Sequence, residues 1–336
     1  MKAKIALVTA MVVASATLAY SATMKAIVAH QYGGPEVLKY EEAPRPEPKD
    51  DQILVRVIAA GVNPVDGMIR SGMFAKNKEL SSPLIPGGDI AGVVEATGSK
   101  ITKFKKGDPV YAYLSLRNNG GYAEYAVARE SETAAKPKSI SYAEAAAVPI
   151  VALTAWQALV DSAKLSAGQS VLIHGGSGGV GTFAIQIAKE RGAKVFATAS
   201  TANQNFLKEL GADVVIDYAR QKFEDVAKDV DVVLDSVGGD TLARSYGVVK
   251  RGGFIATLVS DLNQSELDKR GIRGESISVT PNAEELAKIG GLIDEKKIRV
   301  FVSQTFPLQE AVKAQEQAAT GHTRGKIVLR VADEPK

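Results

Sequence analysis

The sequence predicts an α/β fold in which a β-rich domain accompanies a doubly wound parallel sheet. Over residues 170–200, an apolar run, a glycine turn, a helical pattern and a second apolar run follow one another. Five or six such runs alternate with helical patterns between residues 171 and 280, which is typical of a parallel sheet covered by helices. Residues 24–128 instead carry short alternating stretches separated by Gly and Lys turns, which indicates β-structure.

The glycine turn has the spacing G-x-G-x-x-G over residues 176–181. Residues 171–174 before it read as a buried strand, and apolar residues recur behind it at helical spacing until Gly192. In this setting the glycines let the backbone approach a pyrophosphate, which the helix N-terminus stabilises, as in Rossmann folds. We therefore expect a bound dinucleotide; the alternative is a tight turn without a ligand. The residues expected to contact it here are Gly176, Gly178, Gly179, Val180 and Gly181.

The loop after the second strand of this unit distinguishes between cofactors. In NAD binders an acidic residue about 20 residues beyond the turn binds the ribose 2′-hydroxyl. Here the strand over residues 194–199 is followed by Ser200, Thr201 and Asn203, none of which is acidic. Because no carboxylate there would repel a 2′-phosphate, NADP(H) is predicted in preference to NAD(H). Alternatively, these residues only cap the helix predicted over residues 204–210.

Similar patterns predict the remaining elements. The parallel sheet continues with strands over residues 214–217, 230–237, 254–259 and 275–280. The β-rich part has strands over residues 24–30, 37–41, 52–62, 89–97, 108–114 and 122–128. Helices over residues 143–148 and 152–163 join the two parts. The tail contains helices over residues 283–295 and 308–319 and strands near residues 300–305 and 326–331.

Residues 1–23 differ from the rest of the chain. Lys2 and Lys4 give a basic start, and residues 5–19 are apolar or small. This pattern resembles a secretory signal peptide and is short for a membrane span. We therefore expect export to a periplasmic or extracellular location, with no stable membrane insertion after cleavage. The alternative is that Met24 is the true start and the protein is cytoplasmic, which suits NADP(H) better.

Composition excludes several classes of function. The chain has no Cys and three widely separated His, so it offers neither disulfides nor a thiol nucleophile. The formal charge is +3, and no basic patch suggests nucleic acid. His174, directly before the glycine turn, is expected to pack against the sheet.

Several segments together resemble the zinc-independent medium-chain dehydrogenase/reductase superfamily, in its quinone oxidoreductase (zeta-crystallin-like) group. They are MKAIVAHQYGGPEVL (24–38), AGVNPVD (60–66), IPGGDIAGVVEATG (85–98), GGYAEY (120–125), LTAWQA (153–158), the glycine turn and GHTRGKIVL (321–329). The resemblance implies a GroES-like domain over residues 24–147, an NADP-binding Rossmann domain over residues 148–281, and a return of residues 282–336 to the first domain. It also implies an active site in the cleft between the domains, and a homodimer.

The chain departs from the zinc-dependent relatives, which carry Cys in place of Asn63 and His-Glu in place of Gly88-Asp89. A catalytic zinc needs three ligands from Cys, His or carboxylate side chains, and the sequence shows no such cluster. We therefore predict no metal. The reaction expected is reduction of a small, electrophilic acceptor, either a quinone or an α,β-unsaturated carbonyl, rather than simple alcohol oxidation.

Asn63, Asp66 and Tyr32 are the candidate catalytic residues. The Asn63 amide can donate a hydrogen bond to charge developing on the acceptor oxygen, or it only forms the turn before Pro64. Asp66 binds a nicotinamide ribose or a substrate-side water, or it caps the following helix. Tyr32, like Tyr113, provides a stacking surface or a proton, or it packs in the interior.

Further cofactor contacts are expected outside the glycine turn. The resemblance implies that Thr154 touches the nicotinamide side and that Tyr218 lies beside the adenosine 2′-phosphate. Val259 is predicted at the C-terminal end of the fifth strand, where such sheets meet ligands. Arg324 and Lys326 add charge contacts to the cofactor, or they lie in a solvated turn.

Two functions remain open from the sequence. The first is an NADPH-dependent reductase, and the second is a non-catalytic NADPH-binding sensor or structural protein, because a fold does not fix a function. Only the first predicts NADPH oxidation when a quinone or an enone is added. Acceptor choice is expected to depend on residues 71–82 and 115–119.

Overall fold

The computed structural model describes residues 22–75, 83–114 and 120–335. The predicted signal peptide therefore lies almost entirely outside the described residues, as do residues 76–82 and 115–119 of the predicted acceptor loops. Within the described ranges, no helix has both the length and the apolar character needed to cross a bilayer.

The secondary structure follows the predicted order. Within the described ranges the strands are β1 Thr23–Ala29, β2 Leu38–Pro44, β3 Gln52–Val62, β4 Asp89–Thr97, β5 Pro109–Tyr113, β6 Tyr125–Arg129, β7 Thr133–Ala135, β8 Ser170–Ile173, β9 Lys194–Ala199, β10 Val214–Asp217, β11 Val230–Asp235, β12 Val249–Thr257, β13 Arg273–Ser276, β14 Val302–Pro307 and β15 Lys326–Arg330. The α-helices there are α1 Pro64–Arg70, α2 Tyr142–Ala146, α3 Pro149–Trp156, α4 Gly179–Glu190, α5 Gln204–Glu209, α6 Phe223–Val226, α7 Gly239–Ser245, α8 Gln264–Arg270, α9 Ala283–Asp294 and α10 Ala311–Ala319.

Strands β8 to β13 form a parallel sheet with the order β10-β9-β8-β11-β12-β13. This is the doubly wound order of Rossmann folds, so the predicted fold class is confirmed. The central strands are apolar on both sides because helices cover both faces; Val171 and Leu172 of β8, for example, are fully buried. β12 begins at Val249, earlier than predicted, because Lys250 and Arg251 interrupt its apolar pattern.

The β-rich half is a mixed sheet with the order β14-β15-β3-β4-β5-β7, and β6 also pairs with β3. The two tail strands β14 and β15 thus belong to this sheet. β15 runs antiparallel to β3, with Ile327 opposite Val62. This pairing places Lys326 beside the end of β3 and the start of α1.

The two sheets meet across a shared hydrophobic core. Helix α3 lies within that core and is buried at every residue except Trp156, which explains why it is apolar all round. A π-helical turn, Gln157–Ser162, continues it.

The tail of the chain also reaches the glycine turn, since the N–H of Gly325 donates to the carbonyl of Ser177 at 2.9 Å. Gly325 has φ +68°, and a Cβ there would lie 2.3 Å from the Phe301 carbonyl oxygen. Glycine is therefore required at this crossing.

Candidate active site

The glycine turn links the end of β8 to the N-terminus of α4. The N–H of Gly176 donates to the Thr198 carbonyl at 2.9 Å, and the N–H of Gly178 donates to the Gly175 carbonyl at 3.0 Å. A Cβ at Gly181 would lie 2.3 Å from the Gly175 carbonyl oxygen, so only glycine allows the helix to start this close to the strand. Gly178, Gly179 and Val180 are half-exposed. The first N–H groups of α4, which lack partners within the helix, can therefore donate hydrogen bonds to an anionic ligand.

His174 directly precedes the glycine turn and contacts residues of β9 and α7. Its Nδ1 lies 3.2 Å from the Thr198 hydroxyl and its Nε2 lies 3.0 Å from the Ser245 hydroxyl. Its ring also packs edge-on against Phe223. Burial lowers the pKa of His174 to about 4, so the ring is neutral near pH 7. His174 packs against the sheet, as predicted.

The loop after β9 lies beside the turn. The Asn203 amide Nδ2 donates to the hydroxyls of Ser177 and Ser200 at 3.2 and 3.3 Å. The Thr201 hydroxyl donates to Asp217 Oδ2 at 2.6 Å. The structure therefore brings a carboxylate from the end of β10 next to this loop, which local sequence inspection missed. Its charge is opposed by Arg220, whose Nε lies 3.6 Å from the same oxygen.

The other predicted cofactor contacts, Tyr218, Val259 and Thr154, lie in three different segments of the chain. Tyr218 directly follows β10 and is 59% exposed. Val259 lies in the connection two residues beyond β12, not within the strand as predicted, and is 52% exposed. Thr154 is buried on α3, and its hydroxyl donates to the Ile150 carbonyl at 2.7 Å.

A second polar cluster lies at the end of β3 and consists of Asn63, Asp89 and Lys326, all buried. The Lys326 ammonium donates to Asn63 Oδ1 and, at 2.8 Å, to the Val62 carbonyl. Asn63 Nδ2 donates to Asp89 Oδ2 at 2.9 Å. Because a lysine can only donate, the amide oxygen of Asn63 must face Lys326 and its nitrogen must face Asp89. One N–H of the amide then has no partner among the described residues.

Opposite charges stabilise this cluster. Lys326 Nζ lies 3.5 Å from Asp89 Oδ2, and Asp89 Oδ1 accepts the N–H of Ile150 at 2.8 Å. Burial lowers the pKa of Lys326 and raises that of Asp89, and the attraction within the pair opposes both shifts. The solvated-turn alternative for Lys326 is therefore wrong, whereas Arg324 is exposed.

The cluster does not suit zinc. Asn63 stands where the resemblance places a cysteine ligand, and its amide oxygen already accepts from an ammonium. Asp89 is likewise occupied by that ammonium, by Asn63 and by the N–H of Ile150. The described residues contain no group of three His, Cys, Asp or Glu side chains able to hold a metal. A divalent cation at this position would be opposed by the lysine charge.

Asp66 lies beside the cluster on the first turn of α1. Its Oδ2 accepts the N–H of Asn63 at 2.8 Å and the hydroxyl of Tyr122 at 2.9 Å, while Oδ1 has no partner among the described residues. Burial raises the pKa of Asp66 to about 6. Asp66 therefore caps the helix start and also retains an unpaired oxygen that can bind a water or a proton. No local pattern points to Tyr122, because its role depends on a contact with a residue 56 positions away in the chain.

The two candidate tyrosines are placed differently. Tyr32 is half-buried and packs over Gly72, where a Cβ would lie 2.9 Å from its ring. Tyr113 is buried on β5, and burial together with nearby Asp89 raises its pKa above the usual range. Tyr113 is therefore a poor proton source near pH 7.

Lys326 connects the glycine turn with the Asn63 cluster. A Cβ at Gly179 would lie 3.0 Å from Lys326 Cδ, so the lysine side chain crosses the turn before its ammonium reaches Asn63. The two predicted parts of the site are thus separated by the length of one side chain. Local sequence patterns could not reveal this, because it depends on the pairing of β15 with β3.

Known proteins resemble both halves of the chain. Residues 49–138 match the alcohol dehydrogenase GroES-like domain and residues 210–329 match the family described as zinc-binding dehydrogenase. The NADPH-dependent alkenal/one oxidoreductase of Arabidopsis thaliana chloroplasts is 38% identical over 317 residues, covering 91% of this chain and 79% of the relative. The quinone oxidoreductase of Mus musculus is 34% identical over 327 residues, covering 91% and 97%.

Solved structures of quinone oxidoreductases are also similar to this chain. The quinone oxidoreductase of Coxiella burnetii superposes with a TM-score of 0.86 at 38% identity, covering 92% of this chain and 100% of that one. The Escherichia coli quinone oxidoreductase complexed with NADPH gives a TM-score of 0.82 at 31% identity, with the same coverage. With its glycine turn, its GroES-like half and these relatives, the chain belongs to the quinone oxidoreductase group of the medium-chain dehydrogenase/reductase superfamily.

Proposed function

We propose that this protein is an NADPH-dependent reductase that transfers hydride, without zinc, to a quinone or an α,β-unsaturated carbonyl. The observation that carries the proposal is the path of Lys326, which crosses the glycine turn at Gly179 and ends on Asn63. A turn suited to a cofactor and a buried hydrogen-bond donor thereby lie within the length of one side chain. The NADPH-dependent oxidoreductase of Arabidopsis and the quinone oxidoreductase of mouse support the same reading.

The residues present fit a dinucleotide. The half-exposed start of α4 offers N–H groups to a pyrophosphate. The loop over residues 200–203 carries no carboxylate of its own, and Asp217, which accepts from Thr201, is paired with Arg220. Gly176, Gly178 and Gly181 shape the turn, and Ser200, Thr201, Asn203 and Tyr218 would surround the adenosine end. When bound, the reduced nicotinamide supplies the hydride, and the protein aligns the reactants.

Asn63 would stabilise charge that develops on the acceptor. Its free N–H can donate to the acceptor oxygen, while Lys326 and Asp89 hold the amide in one orientation. Such preorganised donors stabilise the charge of the transition state because they need no rearrangement during the reaction. The nearby ammonium adds a positive potential to the same region. Lys326 and Asp89 are therefore positioning residues, whereas Asn63 would touch the substrate.

Asp66 is the candidate proton source for the reduced product. Its pKa of about 6 leaves a fraction protonated near neutral pH, and the unpaired Oδ1 can hold that proton or a water. Tyr122 keeps the other oxygen occupied. Thr154, Tyr32 and Val259 remain predicted contacts of the cofactor or acceptor.

The relatives favour catalysis over a non-catalytic NADPH-binding sensor. The distinguishing experiment is a panel of quinones and enones assayed with NADPH and with NADH, following the loss of reduced-cofactor absorbance. We expect oxidation with NADPH in the presence of at least some acceptors. Tight NADPH binding without oxidation across the panel would support the sensor instead.

Two further proposals concern the protein in its natural setting. A homodimer is proposed and would be tested by light scattering. Export is proposed from residues 1–23, and a native N-terminus at Met1 would exclude cleavage.

A further inference from the structure

We propose that Arg324, from the tail segment before β15, binds the adenosine 2′-phosphate and sets the preference for NADPH. This inference rests on the proposed cofactor site but adds a residue from outside the parallel sheet. Three observations carry it: the contacts that fix the guanidinium, the contacts that join it to the glycine turn, and the lack of a carboxylate within ion-pair distance of Arg324 among the described residues.

The Arg324 guanidinium is held against the loop that follows β9. Its Nε donates to Asn203 Oδ1 at 2.9 Å, and its Nη2 donates to the Ala202 carbonyl at 3.3 Å. Its Cζ lies 4.8 Å from the centre of the Phe206 ring on α5. Stacking and two hydrogen bonds fix the plane of the guanidinium, so its position does not depend on a bound ligand.

This loop is where Rossmann folds recognise the adenosine ribose, and an arginine there can accommodate a 2′-phosphate. The loop contains no cation of its own at Ser200, Thr201, Ala202 or Asn203. Arg324 supplies one, and its Nη1 has no hydrogen-bond partner in the described part of the chain. A guanidinium edge can bind phosphate oxygens through parallel hydrogen bonds.

The guanidinium is also tied to the pyrophosphate end of the site. Asn203, which accepts from Arg324, donates to the Ser177 hydroxyl in the glycine turn at 3.2 Å. The backbone adjoining Arg324 is fixed as well, because the N–H of Gly325 donates to the Ser177 carbonyl at 2.9 Å. The spacing between the proposed pyrophosphate and 2′-phosphate contacts is therefore set by the fold.

The charge of Arg324 is not neutralised locally. Among residues 22–75, 83–114 and 120–335, no carboxylate lies within ion-pair distance of it. Arg220, the other arginine near this edge, already lies 3.6 Å from Asp217 and is 74% exposed. Arg324 therefore offers the better-fixed and less compensated charge to a phosphate.

The experiment compares Arg324→Gln with Arg273→Gln by titration calorimetry, using NADPH and NADH. Arg273 is a matched control because it also stacks on an aromatic ring, with its Cζ 5.6 Å from the Phe254 ring centre. It lies on β13, at the opposite edge of the sheet. We expect Arg324→Gln to raise the Kd for NADPH roughly 10- to 100-fold, the usual effect of losing a charged hydrogen bond, and to leave the Kd for NADH unchanged. Arg273→Gln should change neither.

Adenosine 2′-monophosphate and adenosine 5′-monophosphate provide a second readout on the same variants. Arg324→Gln should weaken the binding of adenosine 2′-monophosphate and leave the binding of adenosine 5′-monophosphate unchanged. An equal loss for NADPH and NADH would overturn the inference, because it would show that Arg324 only shapes the loop; an unchanged NADPH affinity would overturn it too. If the unaltered protein bound neither coenzyme, the proposed function itself would fail, whereas NADPH preference retained in Arg324→Gln would refute only the role of Arg324.

Discussion

Replacing Lys326 by Met tests the buried cluster that orients Asn63. Methionine nearly matches the lysine in length and volume, so the change removes the ammonium while leaving little empty space. It leaves the Val62 carbonyl and Asn63 Oδ1 without the lysine donor. It also removes the positive charge beside Asp89 Oδ2, which still accepts from Asn63. Removing one partner of a buried ion pair typically costs about 3–5 kcal/mol, because the other charge stays buried. We expect a loss of that size in the free energy of unfolding at pH 7.

A double-mutant cycle separates this cost from general damage. Asp89→Asn keeps the shape of the carboxylate but removes its charge, so Lys326→Met should cost less in that background. The expected coupling energy between the two substitutions is about 2 kcal/mol, within the range found for contacting residues. The assay is urea unfolding followed by circular dichroism, with the slope against urea checked for equality among the four proteins.

The pH dependence provides a further check on the same variant. Burial raises the pKa of Asp89, and Lys326 opposes that shift. Without the ammonium the pKa of Asp89 should rise further, so the folded state binds a proton at a pH where the unfolded state does not. Lys326→Met should therefore recover stability relative to the unaltered protein as the pH falls. Additive costs in the cycle, with no such recovery, would refute the account of the cluster.

Three other predictions address the turn, the acceptor and His174. Gly181→Ala should abolish NADPH binding, measured by calorimetry, because its Cβ would lie 2.3 Å from the Gly175 carbonyl oxygen; retained affinity would argue against this turn as the site. Asn63→Ala should lower kcat by about 100-fold if its N–H stabilises acceptor charge, with the Kd for NADPH unchanged; an unaltered kcat would exclude that role. His174 has a folded pKa of about 4 against 6.5 when unfolded, so its contribution is complete above pH 6.5 and is lost as the pH falls toward 4. That loss amounts to about 3 kcal/mol in the free energy of unfolding. It should be absent when the urea unfolding of His174→Gln is measured over the same pH range. Identical pH profiles for the variant and the unaltered protein would contradict this prediction.

The parallel sheet was predictable because its strands carry their own signal. β9 and β10 have the predicted bounds, since buried parallel strands are continuous apolar runs between polar loops. The predictions for β12 and Val259 were less accurate because charged residues begin that strand and apolar residues continue beyond its end. Local pattern therefore predicts a strand best where the apolar run and the strand end at the same residues.

The site was only partly predictable, for a different reason. Asn63 and the glycine turn stand out as motifs, but the partners that fix them come from distant parts of the chain. Lys326 follows a glycine in an apparent turn and is nevertheless buried, because β15 pairs with β3. Asp217 reaches Thr201 only because β10 lies beside β9. Such contacts follow from the strand order, which no local window contains.

The most direct test of the central claim follows the hydride itself. The protein, treated with a chelator, would be incubated with an enone and with NADPH carrying deuterium at the transferable position of nicotinamide C4. The account predicts continued turnover, with deuterium on the β-carbon of the saturated product. Activity that vanishes with the chelator and returns only with zinc would contradict it, as would a saturated product that contains no deuterium.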